Sequence, residues 1–440
     1  MKLFVILCLL LSFSLSIPTS AQEKLSLQQA IEKALQQNFD LKIAEQESHK
    51  AATNNTWGNA GMLPNINGNG FYNFSTVNVK NLFSNGTVQE RNGAISNNYG
   101  GGLSAGIRIF AAGRTYLIKK QLNQLQQYSE EQLKLQVQTI VAQVTQAYAL
   151  LVLQRQKIMA TDTALALAKL RMVLSQVQYE SGLSAKVNYL QSRVDYNSRQ
   201  SDSLQLIATT QEMFADINYL MGEDPYRTYL VEDSLPLNSH LQATQKELLS
   251  QHNLSISLAK RNWEVSKLNA RATKAALLPT LDINTAYNFN RNESQAGFAL
   301  FNQSLGFTSG ATLSLPIFQG GNLRRVARIA SLQAMQNEIL VEKQQTEIAR
   351  QYRKAWSAYE INKAAYWLEK QNIEFAKENL DIQKARFRVG IATNIETREA
   401  ENSYVAALVR LYNAAYNFKV SETKVLELEN GLVDELETNK

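Results

Sequence analysis

The sequence predicts an α+β chain. A tandem-duplicated unit contributes four strands per chain to a shared 12-stranded transmembrane β-barrel, closed by a trimer and continuous with a long α-helical coiled-coil tube. Three observations predict it. Four anchor segments recur in the same order at near-constant spacing. Two runs of 68 residues, Arg114–Ser181 and Asn322–Val389, contain neither Gly nor Pro. Between the helical runs lie stretches that alternate with period two.

The chain opens on MKLFVILCLLLSFSLSIPTSA, positions 1–21, which reads as a secretory signal cut after Ala21. Its apolar run, Leu3–Leu15, is too short for a spanning helix. Cys8, the only cysteine, lies early inside that run, which argues against lipidation and leaves the mature chain with no disulfide or Cys metal site. His49, His240 and His252 are scattered and none sits in a metal-ligand spacing. No catalytic residue, cofactor site or metal site is read from the chain. The formal charge is +6, with Lys and Arg interleaved among Glu, Asp and Gln, so no nucleic-acid stripe is read. After the signal no apolar run approaches the roughly 20 residues of a membrane helix, so a membrane crossing would be made by strands.

The chain is a tandem duplication of one large unit. Met62–Phe74 (MLPNINGNGFYNF) recurs as Leu277–Phe289 (LLPTLDINTAYNF), and Gly102–Arg114 as Gly310–Asn322. Tyr179–Leu190 (YESGLSAKVNYL) recurs as Phe387–Arg398 (FRVGIATNIETR), and Gln37–Glu45 as His252–Lys260. Asn38 to Asn253 and Pro64 to Pro279 are both 215 residues; Phe110 to Phe318 and Gly182 to Gly390 are both 208. The seven-residue difference falls between Phe74 and Gly102, which predicts a loop there. The organisation read from this is a first repeat at 22–222, a linker at 223–240, a second repeat at 241–431 and a tail at 432–440. Each repeat holds a helix, a β-hairpin (62–110, 279–318) and a long helical hairpin.

The helices follow from the absence of breakers. Every proline after the signal lies outside the Gly-free runs, as helix sterics require. Val137, Val144, Leu151, Ile158, Leu165, Met172 and Tyr179 are seven apart, and Tyr352, Tyr359, Tyr366, Ile373, Leu380 and Phe387 repeat the spacing. A sustained repeat of seven predicts a left-handed coiled coil with these residues as its packed seam. A helix of 68 residues is about 100 Å long.

The strands follow from alternation. Leu281, Ile283, Tyr287 and Phe289 share one face, and Asp282, Asn284, Asn288 and Asn290 the other. Tyr99–Ile109, Leu305–Ile317 and the Asn65, Asn67, Asn69, Asn73 face repeat the pattern. The expected strand length is 10–13 residues, suited to a tilted membrane strand, with exposed loops in Phe74–Tyr99 and Asn290–Leu305. Gly100–Gly102 reads as room for close backbone packing. Four strands cannot close a barrel, and an open edge in lipid costs several kcal/mol per unpaired group. Two chains would give eight strands with a side-chain-filled interior; three give twelve, wide enough for a lumen.

The ordered motifs resemble the TolC-like outer membrane efflux protein family. They are Ala34-Leu35-x-x-Asn38, the Leu-Pro before each hairpin, Pro316-Ile317-Phe318-x-x-Gly321, and the pair Tyr179-x-x-Gly182-Leu183 and Phe387-x-x-Gly390-Ile391. The resemblance covers Glu23–Gly431. Arg108 stands where the family often has Pro, so the first junction is expected to bend differently. The resemblance implies that Gly182, Leu183, Gly390 and Ile391 form periplasmic tips that meet a membrane-fusion adaptor. Independently, reversing a helix within a few residues favours Gly in the left-handed region, with Ser184 and Thr393 expected to cap the returning helices. By resemblance, Glu396 marks a periplasmic constriction, a ring of three carboxylates in a trimer, with Asn188 as its uncharged counterpart.

The implied function is a passive outer membrane exit duct of a tripartite efflux system for small molecules or drugs, with no reaction of its own. Its partners would be two further copies, the adaptor, an inner-membrane pump and outer membrane lipid, with no nucleic acid. The alternatives are a type I protein secretion channel or a periplasmic coiled-coil scaffold.

Overall fold

Ser26 begins the first helix with a reciprocal cap: Gln29 N donates to its Oγ while its own N–H donates to Gln29 Oε1. Helix α1 (Leu27–Gln37) buries Ala30, Ile31 and Ala34 on one face. It stops at Asn38, where the sequence alone suggested one continuous helix. The backbone turns out of the helix there, and Asn38 Oδ1 accepts the N–H of Leu41 to start α2 (Phe39–Asn54). The second copy does the same at Asn253, between α5 (Lys246–His252) and α6 (Leu254–Ala275). A buried Asn thus breaks a helix that lacks both Gly and Pro, because its side chain can replace the lost backbone partners.

The remaining elements are β1 (Lys24–Leu25), β2 (Asn65–Leu82), β3 (Val88–Phe110), α3 (Arg114–Glu180), α4 (Lys186–Met221), β4 (Leu230–Val231), β5 (Thr280–Ser294), β6 (Phe301–Ser314), α7 (Asn322–Arg388) and α8 (Asn394–Glu429). This computed structural model describes residues 23–296 and 299–432. The predicted signal at 1–21, with Cys8, lies outside them, as do Gly297 and Phe298 of the second predicted loop and positions 433–440 of the predicted tail.

Two compact units divide the chain. One holds the described residues up to Glu45, Leu133–Leu254 and those from Gln345 on. Its core packs Leu25, Ile31, Ala34, Ile140, Val144, Leu151, Ile217 and Met221. Tyr148 is fully buried there; its hydroxyl donates to Leu25 O at 2.9 Å and accepts from Glu232 N at 3.3 Å. Burial pushes its pKa up to about 12. Those bonds brace β1 against β4, which pair in parallel, Leu25 opposite Val231. The segment joining the copies is therefore held. Arg155 Nη1 donates to Val231 O (2.6 Å), Gln156 Nε2 to Asp233 O (2.8 Å) and Tyr359 OH to Asn238 O (2.9 Å).

The heptad seam is correct for Val144, Leu151, Tyr352, Tyr359, Leu380 and Phe387, all buried. Val137, Tyr366 and Ile373 are only half-buried, and the seam needs correction beyond Leu151 in α3. There Ile158, Leu165 and Met172 are half-buried and Tyr179 is exposed, while the buried line is Ala160, Ala164, Ala168, Arg171 and Ser175. Small side chains allow close helix approach, which places the larger heptad residues on the flanks.

The other unit, Gln46–Gln132 and Ser255–Gln344, holds the sheet. Its order is β2-β3-β5-β6, antiparallel throughout, so the two hairpins join through β3 and β5. The strands contain 18, 23, 15 and 14 residues, longer than expected. The first predicted loop shrinks to the turn between Leu82 and Val88, closed by Phe83 N to Thr87 O (3.0 Å); the second shrinks to the segment between Ser294 and Phe301. A ladder is held by its backbone bonds and both its faces can be polar, so polar sequence there does not mark a loop. Gly100 does allow close packing: a Cβ there would lie 2.5 Å from the Phe289 carbonyl. Arg108 stays in register opposite Asp282 and pairs with it (Nε–Oδ1 2.7 Å), with a bulge just before Phe110. Ala112 and Gly113 then turn the chain with φ of 49° and 78°, where the second copy uses Gly320 and Gly321.

Candidate functional site

Each long helical hairpin turns by the same hydrogen bonds. Gly182 N donates to Tyr179 O (3.0 Å) and Leu183 N to Gln178 O (2.8 Å); Gly390 N donates to Phe387 O (3.1 Å) and Ile391 N to Arg386 O (2.9 Å). This paired pattern is the Schellman C-cap, which needs a left-handed residue at the glycine position. Both glycines have φ 75°. The residues after them point outward: Leu183 is 82% exposed and Ile391 68%. Behind the first turn the Tyr179 and Tyr189 rings stack at 6.3 Å.

The returning helices differ in their caps. Thr393 caps α8 as expected, and it does so in a reciprocal box. Glu396 N donates to Thr393 Oγ1 (3.2 Å), and Thr393 N donates to Glu396 Oε2 (2.7 Å). Ser184 does not cap α4. The cap position is three residues past each glycine, which is Ala185 in the first copy, and Ala185 has no side-chain acceptor. Ser184 Oγ accepts instead from Asn188 Nδ2 (3.0 Å).

Glu396 is exposed, and its hydrogen bonds from the Thr393 backbone and hydroxyl hold its carboxyl below the usual range. Asn188, its counterpart, receives at its carbonyl a bond from Asn394 Nδ2 (3.2 Å). The turns of the two hairpins are thereby joined, and a buried network behind them extends the link. Arg171, on α3, donates Nε to Glu401 Oε2 (3.0 Å) and Nη1 to both Asp195 Oδ2 (2.9 Å) and Asn394 Oδ1 (3.2 Å). Burial, partly offset by Arg171, holds the Glu401 carboxyl above its ordinary value. Ser175 and Ser192 meet at 3.1 Å in the same layer. Sequence reading missed Arg171 and Glu401. The only signal was an Arg continuing a line of alanines.

The sheet carries the second candidate surface. On one face stand Ile66, Tyr72, Phe74, Leu103, Tyr287 and Leu313, all exposed. The other bounds a groove of about 900 Å³, lined by Asn65, Asn67, Ser104, Asn284, Thr308 and Thr312 and by the paired Arg108 and Asp282. Amides and hydroxyls there offer hydrogen bonds with little net charge.

Residues 30–223 and 246–430 match the outer membrane efflux protein family. The chain belongs to that family. The alkaline protease secretion protein AprF of Pseudomonas aeruginosa is 20% identical over 317 residues, 70% of this chain and 64% of that protein. The outer membrane protein TolC of Vibrio cholerae is 22% identical over 262 residues, 58% of each. The matched region thus spans about three-fifths of these two relatives. Among solved structures, the Campylobacter jejuni CmeC outer membrane channel superposes with a TM-score of 0.78 at 16% identity, covering 94% of this chain and 88% of that one. The fold of this family member is therefore that of solved outer membrane channels: long helices continuous in sequence with a four-stranded sheet.

Proposed function

We propose that three copies of this chain form a passive outer membrane exit duct of a tripartite efflux system, carrying small molecules or drugs outward. The observation that supports this reading is the sheet. Among the described residues β2 and β6 each keep one edge without a partner strand. One face is apolar and exposed; the other is amide-lined. An unpaired edge in lipid costs several kcal/mol per backbone group, and four strands fall short of the smallest membrane barrels. Pairing β6 of one copy with β2 of the next closes twelve strands around water.

In this reading the long helices continue as a periplasmic coiled-coil tube, and neighbouring copies cover exposed residues such as Ile207, Ile361 and Phe375. Gly182, Leu183, Gly390 and Ile391 offer the surface on which a membrane-fusion adaptor docks. Glu396 and Asn188 stand at the periplasmic mouth, and energy comes from an inner-membrane pump. The two repeats, 22–222 and 241–431, each supply one hairpin of strands and one of helices, after removal of the signal at 1–21.

A second reading is the same duct serving type I protein secretion, which the match to a protease secretion protein favours. Deleting the gene separates the two. The efflux reading predicts cells more sensitive to drugs with unchanged protein secretion; the reverse result selects the secretion channel. A third reading, a periplasmic scaffold, would require that the protein be extracted without detergent.

A further inference from the structure

Opposite charges are not spread evenly along this chain. The fifteen residues on the helical side of each strand end are 50–64, 111–125, 265–279 and 315–329. Together they hold ten Lys or Arg and no Asp or Glu. The next fifteen outward in each case, 35–49, 126–140, 250–264 and 330–344, hold five and eight respectively. The asymmetry is confined to the first turns beside the sheet. Strand register brings the four segments to one end: Asn65 lies opposite Gly106, Arg108 opposite Asp282, and Thr280 opposite Ser314.

Two of the ten cations are neutralised locally, Lys50 by Glu47 and Lys267 by Glu264. Among the described residues none of the others forms an ion pair with a carboxylate. Lys120, Arg271, Lys274, Arg324, Arg325 and Arg328 are all exposed. Apolar side chains stand exposed at the same sheet end: Ile317 is 90% exposed and Phe318 82%, with Leu63, Phe110, Leu278 and Leu315 beside them in the junctions. A ring of aliphatic and aromatic groups followed by unpaired cations matches the boundary between acyl chains and phosphates. There the long Lys and Arg stems lie along apolar groups while their heads reach the charge.

We propose that this collar binds the anionic phospholipid head groups of the periplasmic leaflet. The proposal rests on the membrane reading above and adds what the barrel grips at its inner rim. Charge complementarity selects the ligand: a zwitterionic head group leaves these cations uncompensated, whereas each lipid phosphate without a choline or ethanolamine neutralises one. A single engaged cation is worth about five-fold in preference. The preference is electrostatic, so salt weakens it.

The test reconstitutes the full-length protein in phosphatidylcholine bilayers. Spin-labelled phosphatidylglycerol or phosphatidylcholine serves as probe, and the motionally restricted fraction of each is read by electron spin resonance. The expected result is an enrichment of labelled phosphatidylglycerol of about five-fold or more. It should collapse at molar salt and fall in the triple variant R324Q/R325Q/R328Q, which removes three of the eight uncompensated cations, while Lys343→Gln leaves it intact. Equal restricted fractions for the two probes in the wild type overturn the proposal. So does a preference that the triple substitution leaves unchanged. If that variant does not assemble, the salt response of the wild type decides. Cations facing the lumen would instead change ion selectivity of the conductance without any lipid preference, which also overturns it. No restricted lipid with either probe would sink the membrane reading itself, an outcome distinct from the others.

Discussion

Asn38 donates Nδ2 to the carbonyl of Leu220 at 2.8 Å, and Asn253 repeats the contact on Leu428 at 2.9 Å. Both asparagines are buried, and each pins the break between the first two helices of its copy onto the last turn of the same copy's final helix. The duplicated asparagine is thus a structural joint. Replacing either by Ala leaves a buried carbonyl without that donor, at about 1–3 kcal/mol. Asn38→Ala and Asn253→Ala should each lower the thermal midpoint of the assembled protein. The double variant should be close to additive, since the two share no partner. No change in either single variant would show that the joint contributes nothing.

Gly182→Pro and Gly390→Pro should separate folding from docking. Proline cannot take the φ of 75° seen at either glycine, and it removes the N–H that closes the turn. The strain is about 1–3 kcal/mol at a tip. Helices of 67 residues lie between these turns and the strands, so assembly should survive while drug efflux fails. Paired measurements decide: oligomer yield in the outer membrane and drug sensitivity of the cells. Normal yield with unchanged resistance would mean that the tips are only turns.

The unequal caps give a further test. Thr393→Ala should cost about 1 kcal/mol at the start of α8, and Ala185→Ser should stabilise α4 by a similar amount. The Glu396 half of the box depends on pH. Its folded pKa is lowered, so its contribution is present above the ordinary carboxylate value and is lost as pH falls through the lowered one. Amide exchange at Thr393, whose N–H the carboxylate accepts, should accelerate below that range. An exchange rate that follows only the intrinsic pH dependence would show that the carboxylate does not hold the cap.

Arg171 joins helices from both copies, and its loss leaves Glu401 buried with an uncompensated charge. Arg171→Ala should destabilise by about 3–5 kcal/mol, and adding Glu401→Gln should recover much of that. The pH response carries the sign. Burial raises the folded pKa of Glu401, so its proton is bound more tightly in the folded state. Its contribution is fully present below the ordinary carboxylate value and fades as pH rises through the raised one. Arg171→Ala alone should therefore regain stability on acidification across that window, and the double variant should not. Equal pH responses would remove Glu401 from the explanation.

What could be read from sequence were the positions where backbone geometry allows few residues. Gly182 and Gly390 stand at left-handed turns and were legible as such; Asn38 and Asn253 recur at a fixed spacing as repeat anchors, but the helix breaks they make were not, because neither Gly nor Pro marks them. Strand extent was not legible. Residues such as Asn78 and Asn81 of β2 are polar on both faces, which reads as loop although the ladder continues. Arg171 was hidden because one buried Arg in a helix of 67 residues resembles a solvated one until the helices around it are placed. The basic collar was hidden by averaging. Over the whole chain the charges interleave, and only the sheet brings the four acid-free segments to one end.

A particle reconstruction of the detergent-extracted protein shows whether three copies close one barrel. The expected result is three-fold symmetry, with β6 of each copy hydrogen-bonded to β2 of the next in a twelve-stranded barrel, and helices continuing from one rim. A monodisperse monomer that keeps its four-stranded sheet, or an assembly in which the outer edges of β2 and β6 remain open, would contradict it.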